Sequence, residues 1–144
     1  MSYTTIANAI RTRLAALTLS PTKPIVWQNM EFKPEKDGGE NGWLYVELSL
    51  TGGRQASFGD PGNGNIHRDT GVFVVNVVVP RGSLIGTAES IAETVRNHFK
   101  SESVAGVHFE GRWIGAPRLN EQESRWYVLP VIMEFWADRL ETPT

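Results

Sequence analysis

The chain contains no cysteine, which removes disulfides, thiolate metal sites and cysteine nucleophiles from consideration. It lacks an excess of either charge. Sixteen acids against fourteen bases leave a net −2, which weighs against gripping nucleic acid through a basic face. No apolar run approaches the roughly 20 residues that span a bilayer, so no membrane partner is expected. The opening "MSYTTIANAIRTRL" places polar residues where a secretory signal needs its apolar region, and the expected address is cytoplasmic. Histidine is scarce: His67, His98 and His108 lie far apart, none in an HExxH-type spacing. His108 and Glu110 form an H-x-E, but the zinc deaminase signature also requires PCxxC. No GxSxG elbow occurs. Catalysis has no constellation to stand on, and neither a metal nor a cofactor is expected.

What is present reads as one domain over residues 1–144, long enough to bury a core without staples. Ile6, Ile10, Leu14 and Leu17 form one apolar stripe at helical spacing, with Arg11 and Arg13 off it. Ser2 or Thr4 caps this helix, and Pro21 and Pro24 end it. A short apolar stretch, "PIVWQNMEF", leads into the polar turn region "KPEKDGGENG". Residues Trp43–Leu50 alternate, with Leu44, Val46, Leu48 and Leu50 on one face, which predicts a strand. Val72–Val79 is apolar on both faces except at Asn76, so both faces need cover. Ala88, Ile91, Ala92, Val95 and Phe99 mark a second helix, capped at Thr87 or Ser83. "VHFEGRWIGAP" reads as a shorter strand and "RLNEQESR" as a polar turn. A long final strand covers Trp126–Ala137, where Pro130 marks an edge or a bulge. The expected fold is α+β: two helices on one face of a mainly antiparallel sheet.

Between two strands lies "SFGDPGNGNIHRDTG", Ser57 to Gly71. A phosphate cradle needs GxxxxGK[ST] ahead of a helix, and here there is no lysine and a strand follows. Asp60, Asn63, Asn65 and Asp69 offer oxygens, but the EF-hand frame with its glutamate at position twelve is missing. Turn chemistry accounts for the composition, because Asn, Asp and Gly tolerate positive φ. Thr51–Thr70 without regular structure is nevertheless long for a compact domain, and such loops work against partners. Alternatively the flanks "RQASF" and "NIHRDTG" pair as a hairpin that projects as an arm.

Apolar surface is the other unusual feature. Five tryptophans, Trp27, Trp43, Trp113, Trp126 and Trp136, occur in this small chain, and two helices cover one sheet face but hardly two. Either the sheet curls on itself or its second face meets another protein, for which Trp and Tyr are favoured anchors. Glu134 shares a strand face with Trp126, Val128, Ile132 and Trp136; a carboxylate there calls for a salt bridge to an arginine, in this chain or the next.

The order of these segments, Trp27-Gln28-Asn29 with Phe32 and Pro34, then Arg68-Asp69-Thr70-Gly71 ahead of the valine-rich strand and "WYVLPVIMEFWAD", resembles the tail-terminator family of long-tailed bacteriophages and gene transfer agents. The resemblance runs from Ile6 to Asp138. It implies a non-enzymatic virion protein of the tail's neck end, assembled in the host cytoplasm. Family members form a ring, usually a homohexamer, on the head-proximal end of the tail tube. There the ring stops polymerisation of the tail-tube protein and receives the head-completion or neck protein, while DNA passes through its lumen without specific binding. The candidate subunit-contact residues are Arg54, Phe58, Asp60, His67, Arg68, Glu134 and Trp136. Another head–tail connector or neck protein fits the same composition. So does a small ligand-binding domain, which requires a pocket with convergent polar groups.

Overall fold

The computed structural model describes residues 3–19, 22–57, 65–82, 85–100, 103–104, 106–119 and 125–141. Two helices, α1 (Tyr3–Ala15) and α2 (Ile85–His98), accompany seven strands. These are β1 (Ile25–Trp27), β2 (Trp43–Ser57), β3 (Asn65–Pro80), β4 (Ser103–Val104), β5 (Val107–Ile114), β6 (Arg118–Leu119) and β7 (Trp126–Glu141). They form one sheet in the order β1-β2-β3-β7-β5-β4, with β6 paired to β7. Every pairing is antiparallel except β1 with β2. The α+β expectation holds.

Strand alternation puts every second residue on the helix side. Leu44, Val46 and Leu48 of β2, Phe73, Val75 and Val77 of β3, and Leu129, Val131, Met133 and Phe135 of β7 form one cluster there. Facing them are Ile6, Ile10 and Leu14 of α1 and Ala88, Ala92, Val95 and Phe99 at α2. The register is continuous: Val46 opposes Val75, Val75 opposes Val131, and Val131 opposes Ile114. Phe73 is the hub, with ring centroids 4.9 Å from Phe99, 5.6 Å from Phe109 and 6.2 Å from Phe135. The helices lock at their C-terminal ends. Arg13 Nη2 and Nε donate to the His98 carbonyl at 2.7 and 3.1 Å, and His98 Nε2 returns a hydrogen bond to the Arg13 carbonyl.

Four local expectations need correction. Thr4 and Thr87 lie inside their helices, which begin at Tyr3 and Ile85; the caps Ser2 and Ser83 lie outside the described residues. The final strand runs four residues beyond Ala137, to Glu141. Pro130 is in neither an edge strand nor a bulge: it opposes Asn76 in regular register within β7, which has β3 on one side and β5 and β6 on the other. Its carbonyl accepts from Gly115 N at 2.8 Å, so its nitrogen points the same way. That direction is the gap where β5 has ended and β6 has not begun, where no donor is needed. The segment without regular structure is also shorter than Thr51–Thr70, because β2 continues to Ser57 and β3 starts at Asn65.

Candidate assembly surface

The continuation of β2 and β3 makes an arm. Beyond Leu50, β2 and β3 stay paired from Gly52 opposite Thr70 to Ser57 opposite Ile66, with register shifts between Leu50 and Gly52 and between Gln55 and Ser57. On the other side β7 follows β3 without a shift, to Asn65 opposite Glu141. β1 pairs only with Leu44–Val46 and β5 starts opposite Ala137, so the arm is a three-stranded ribbon that leaves the core. The hairpin reading of "RQASF" and "NIHRDTG" is the one the backbone adopts.

Each face of the arm base carries its own polar cluster. On the face away from the helices, Arg68 Nε and Nη2 donate to the two Asp138 oxygens at 2.8 and 3.0 Å. This fork-to-carboxylate geometry fixes both side chains. The hydrogen bonds from Arg68 hold the Asp138 carboxyl below its ordinary range, against the opposing effect of burial, and raise the guanidinium in turn. The Arg68 guanidinium also lies 3.9 Å over the Trp136 ring, while His108 stacks on Trp136 at 4.0 Å and 13°. On the opposite face Asp69 is 9% exposed. Its Oδ1 lies 3.5 Å from His67 Nε2, and its Oδ2 lies 3.2 Å from Arg139 Nε. A Cβ at Gly53 would come within 2.7 Å of His67 Nε2 and 2.9 Å of Asp69 Oδ1, so glycine is what lets this cluster sit against β2.

The structure thus sorts the candidate contact residues. Arg68 and Trp136 touch, and His67 sits one residue away on the other face. Arg54 lies in β2 opposite Arg68. Phe58 and Asp60 fall outside the described residues, as does Asn63. Asp69, raised above as a possible calcium ligand, lies between His67 and Arg139 instead. Glu134 is exposed, opposite Val72, and has no ion pair among the described residues of its own chain. Sequence reading missed Asp138, His108 and Arg139, whose partners come from distant strands and leave no local spacing to detect.

The second sheet face is partly covered by the chain itself. Residues 28–42 cross its far end, where Phe32 packs 5.2 Å from Trp43 and Trp43 meets Trp126 edge-on at 4.6 Å. A 470 Å³ cleft beside them is lined by Met30, Phe32, Tyr45, Val78 and Val128, among others. At its floor the buried Asn76 donates to Glu47 Oε1 at 2.9 Å and accepts from Arg118 Nη2 at 2.8 Å. Both ends of the Asn76 amide are thus engaged within the chain. Trp113, on the same face, stays 42% exposed.

Comparison with known proteins adds three findings. The profile of a family described as phage tail terminator protein matches residues 5–135. One solved chain, 23% identical, superposes with a TM-score of 0.66 over 99% of both chains. A chain from a structure titled "Virion of native gene transfer agent (GTA) particle" is 13% identical, with a TM-score of 0.61 over 96% of this chain and 100% of its own. No curated protein matches the sequence. At such identities the two structures speak for the fold alone.

Proposed function

This chain belongs to the phage tail terminator protein family, and we propose that it closes the head-proximal end of a tail tube as one subunit of a ring. Its place is the phage tail, where it acts as a structural protein. The ring, a homohexamer in this reading, stops addition of tail-tube protein and presents its free side to the head-completion or neck protein. DNA crosses the lumen without specific binding, in keeping with a net charge of −2.

One observation supports the ring most directly. The arm carries β2 past its neighbour β1, leaving backbone from Leu50 to Ser57 without a strand on its outer side among the described residues. A ring needs heterologous contacts, in which one patch meets a different patch on the next copy. A projecting ribbon with an open edge offers such a patch. The match of the whole chain to a gene transfer agent virion component is consistent with the same role.

Purified tail tubes test the proposal. Added during tube polymerisation, the protein is expected to bind one end of each tube and halt growth. A variant lacking Gln55–Asn65 is expected to remain a folded monomer and leave growth unchecked. Tubes that lengthen equally with and without the intact protein would refute termination, and normal capping by the deletion variant would refute the role of the arm.

A further inference from the structure

The sheet has a second open edge, at its other end. β4 pairs only Ser103 with His108 and Val104 with Val107. Among the described residues Phe109–Ile114 of β5 therefore has no strand on its outer side. Resting on the ring reading above, we infer that the occupant of the arm edge is this β5 edge on a second copy of the chain: Leu50–Ser57 of one subunit pairs antiparallel with Phe109–Ile114 of the next.

Direction and length both favour this pairing. β2 runs antiparallel to β3, β3 to β7 and β7 to β5, so β5 runs opposite to β2. The register sets Phe109 level with Leu50 and Ile114 level with Val46, so an axis along the strands would bring the β5 edge onto the stretch of β2 sealed by Gln28. A rotation about an axis inclined to them by roughly 35–45°, as in closed barrels, shifts the meeting point by about five residues and keeps strand direction. It brings the β5 of the next copy beside β2 in antiparallel orientation, with both helix layers on the same side. The two edges lie at opposite ends of one sheet, so their union is heterologous and propagates until the rotation closes.

Local chemistry fixes where pairing begins. Gln28 N donates to the Val46 carbonyl at 2.9 Å, and its side-chain Oε1 accepts from Leu48 N at 2.7 Å. Gln28 thus seals the edge as far as Leu48 and leaves it open from Leu50. Gly52 and Gly53 follow, in unbroken register with β3 through Gln55, and present backbone with no side chain to hold a neighbour away. No lysine or proline guards Leu50–Ser57, although those are the usual protections of an exposed edge. Both edges also carry large exposed apolar side chains, with Leu50 at 41% and Trp113 at 42%. A seam between subunits would bury them.

The absence of cysteine makes the test clean. Exposed positions on the two edges are converted in pairs, with Ser49→Cys or Thr51→Cys combined with Glu110→Cys or Trp113→Cys. Within one chain β3 and β7 separate these edges by three strand spacings, or ~14 Å, beyond the ~7 Å between Cα atoms that a disulfide bridges. Only neighbouring copies can be joined. Protein captured on tail tubes is oxidised mildly and run under denaturing conditions. At least one pair is expected to give a ladder of multimers ending at the ring size, while each single-cysteine parent stops at dimer. Captured protein that yields no multimers beyond its single-cysteine parents, for every pair, would overturn the seam and leave the ring reading standing. If the unaltered chain is never captured by tubes, the ring reading falls and takes the seam with it.

Discussion

Gly71 stands where the core ends and the arm begins, and replacing it tests how tightly that junction is set. Its φ lies outside the positive range that excludes side chains, so Gly71→Ala imposes no backbone penalty. Space decides the outcome. An added Cβ would lie 2.4 Å from Phe135 Cζ and 2.6 Å from the Ser49 carbonyl oxygen, against an ordinary carbon contact of about 3.5–4.0 Å. The Phe135 ring must retreat by more than ~1 Å on that scale. It is 2% exposed and backed by Phe73, which Phe99 and Phe109 hold in turn, so it has little room. The Ser49 oxygen belongs to the neighbouring strand and moves only if β2 and β3 separate. Overpacking costs about 1–3 kcal/mol, and alanine regains roughly 0.5–1 kcal/mol over glycine in a strand interior. Approaches this short, one of them to backbone, put the cost at the upper end of that range, so the net expectation is a loss of about 2 kcal/mol, or roughly 4–8 °C in Tm for a chain of this size. Gly52→Ala is the control: its nearest neighbour would be Thr70 Oγ1 at 3.6 Å, ordinary contact, and its Tm should stay within about 2 °C of the parent. Thermal unfolding of the three proteins side by side decides the matter. A Gly71→Ala protein as stable as the parent would refute the claim that the junction is close-packed.

Other expectations follow from the same geometry. Phe73→Ala empties the centre of the aromatic cluster and should cost about 3–5 kcal/mol in denaturant unfolding. Asn76→Val removes the donor to Glu47 and to the Tyr45 carbonyl, and should cost about 1–2 kcal/mol in the same assay; an increase in stability would mean the buried polar chain is a burden. Asp138→Asn should speed amide exchange in the arm at neutral pH. Because Arg68 lowers the folded-state pKa of Asp138, that contribution is present above the ordinary carboxylate value of about 3.9 and is lost as pH falls through the lowered one. The difference between parent and variant should therefore shrink below about pH 4; a difference that persists in acid would show that the carboxylate charge is not what matters.

Legibility in the sequence followed burial. Trp43–Leu50 was readable as a strand because its alternation records one buried side, and Val72–Val79 and Trp126–Ala137 because apolar residues fill both of their faces. The signal fades beyond Leu48, Phe73 and Ala137 because the core cluster ends there. Gly52, Gly53, Arg54 and Gln55 alternate nothing, yet they pair with β3 as regularly as the valines do. Backbone hydrogen bonding needs no particular side chain, so a ribbon outside the core looks like a loop to any reading of hydrophobic period. The helical stripes were equally visible, while their first residues were not, since Thr4 and Thr87 are plausible caps wherever the helix begins.

The site was less legible for a related reason. Arg68 and Trp136 were picked as contacts for a partner, and within the chain they meet each other: Arg68 lies over the Trp136 ring and His108 stacks on it. A tryptophan count measures how much apolar surface must be covered without saying by what. Here Trp43 and Trp126 cover one another, Trp136 is covered by charged and aromatic neighbours, and Trp27 joins the edge of the core beneath Arg11. Trp113 is left, on the strand edge opposite the arm. The surplus that suggested a partner therefore contracts, among the described residues, to one exposed tryptophan and two sheet edges without a partner strand. That contraction sharpens the assembly argument, because it moves the expected contact from a broad sheet face to the ends of the sheet, where a ring seam would have to be.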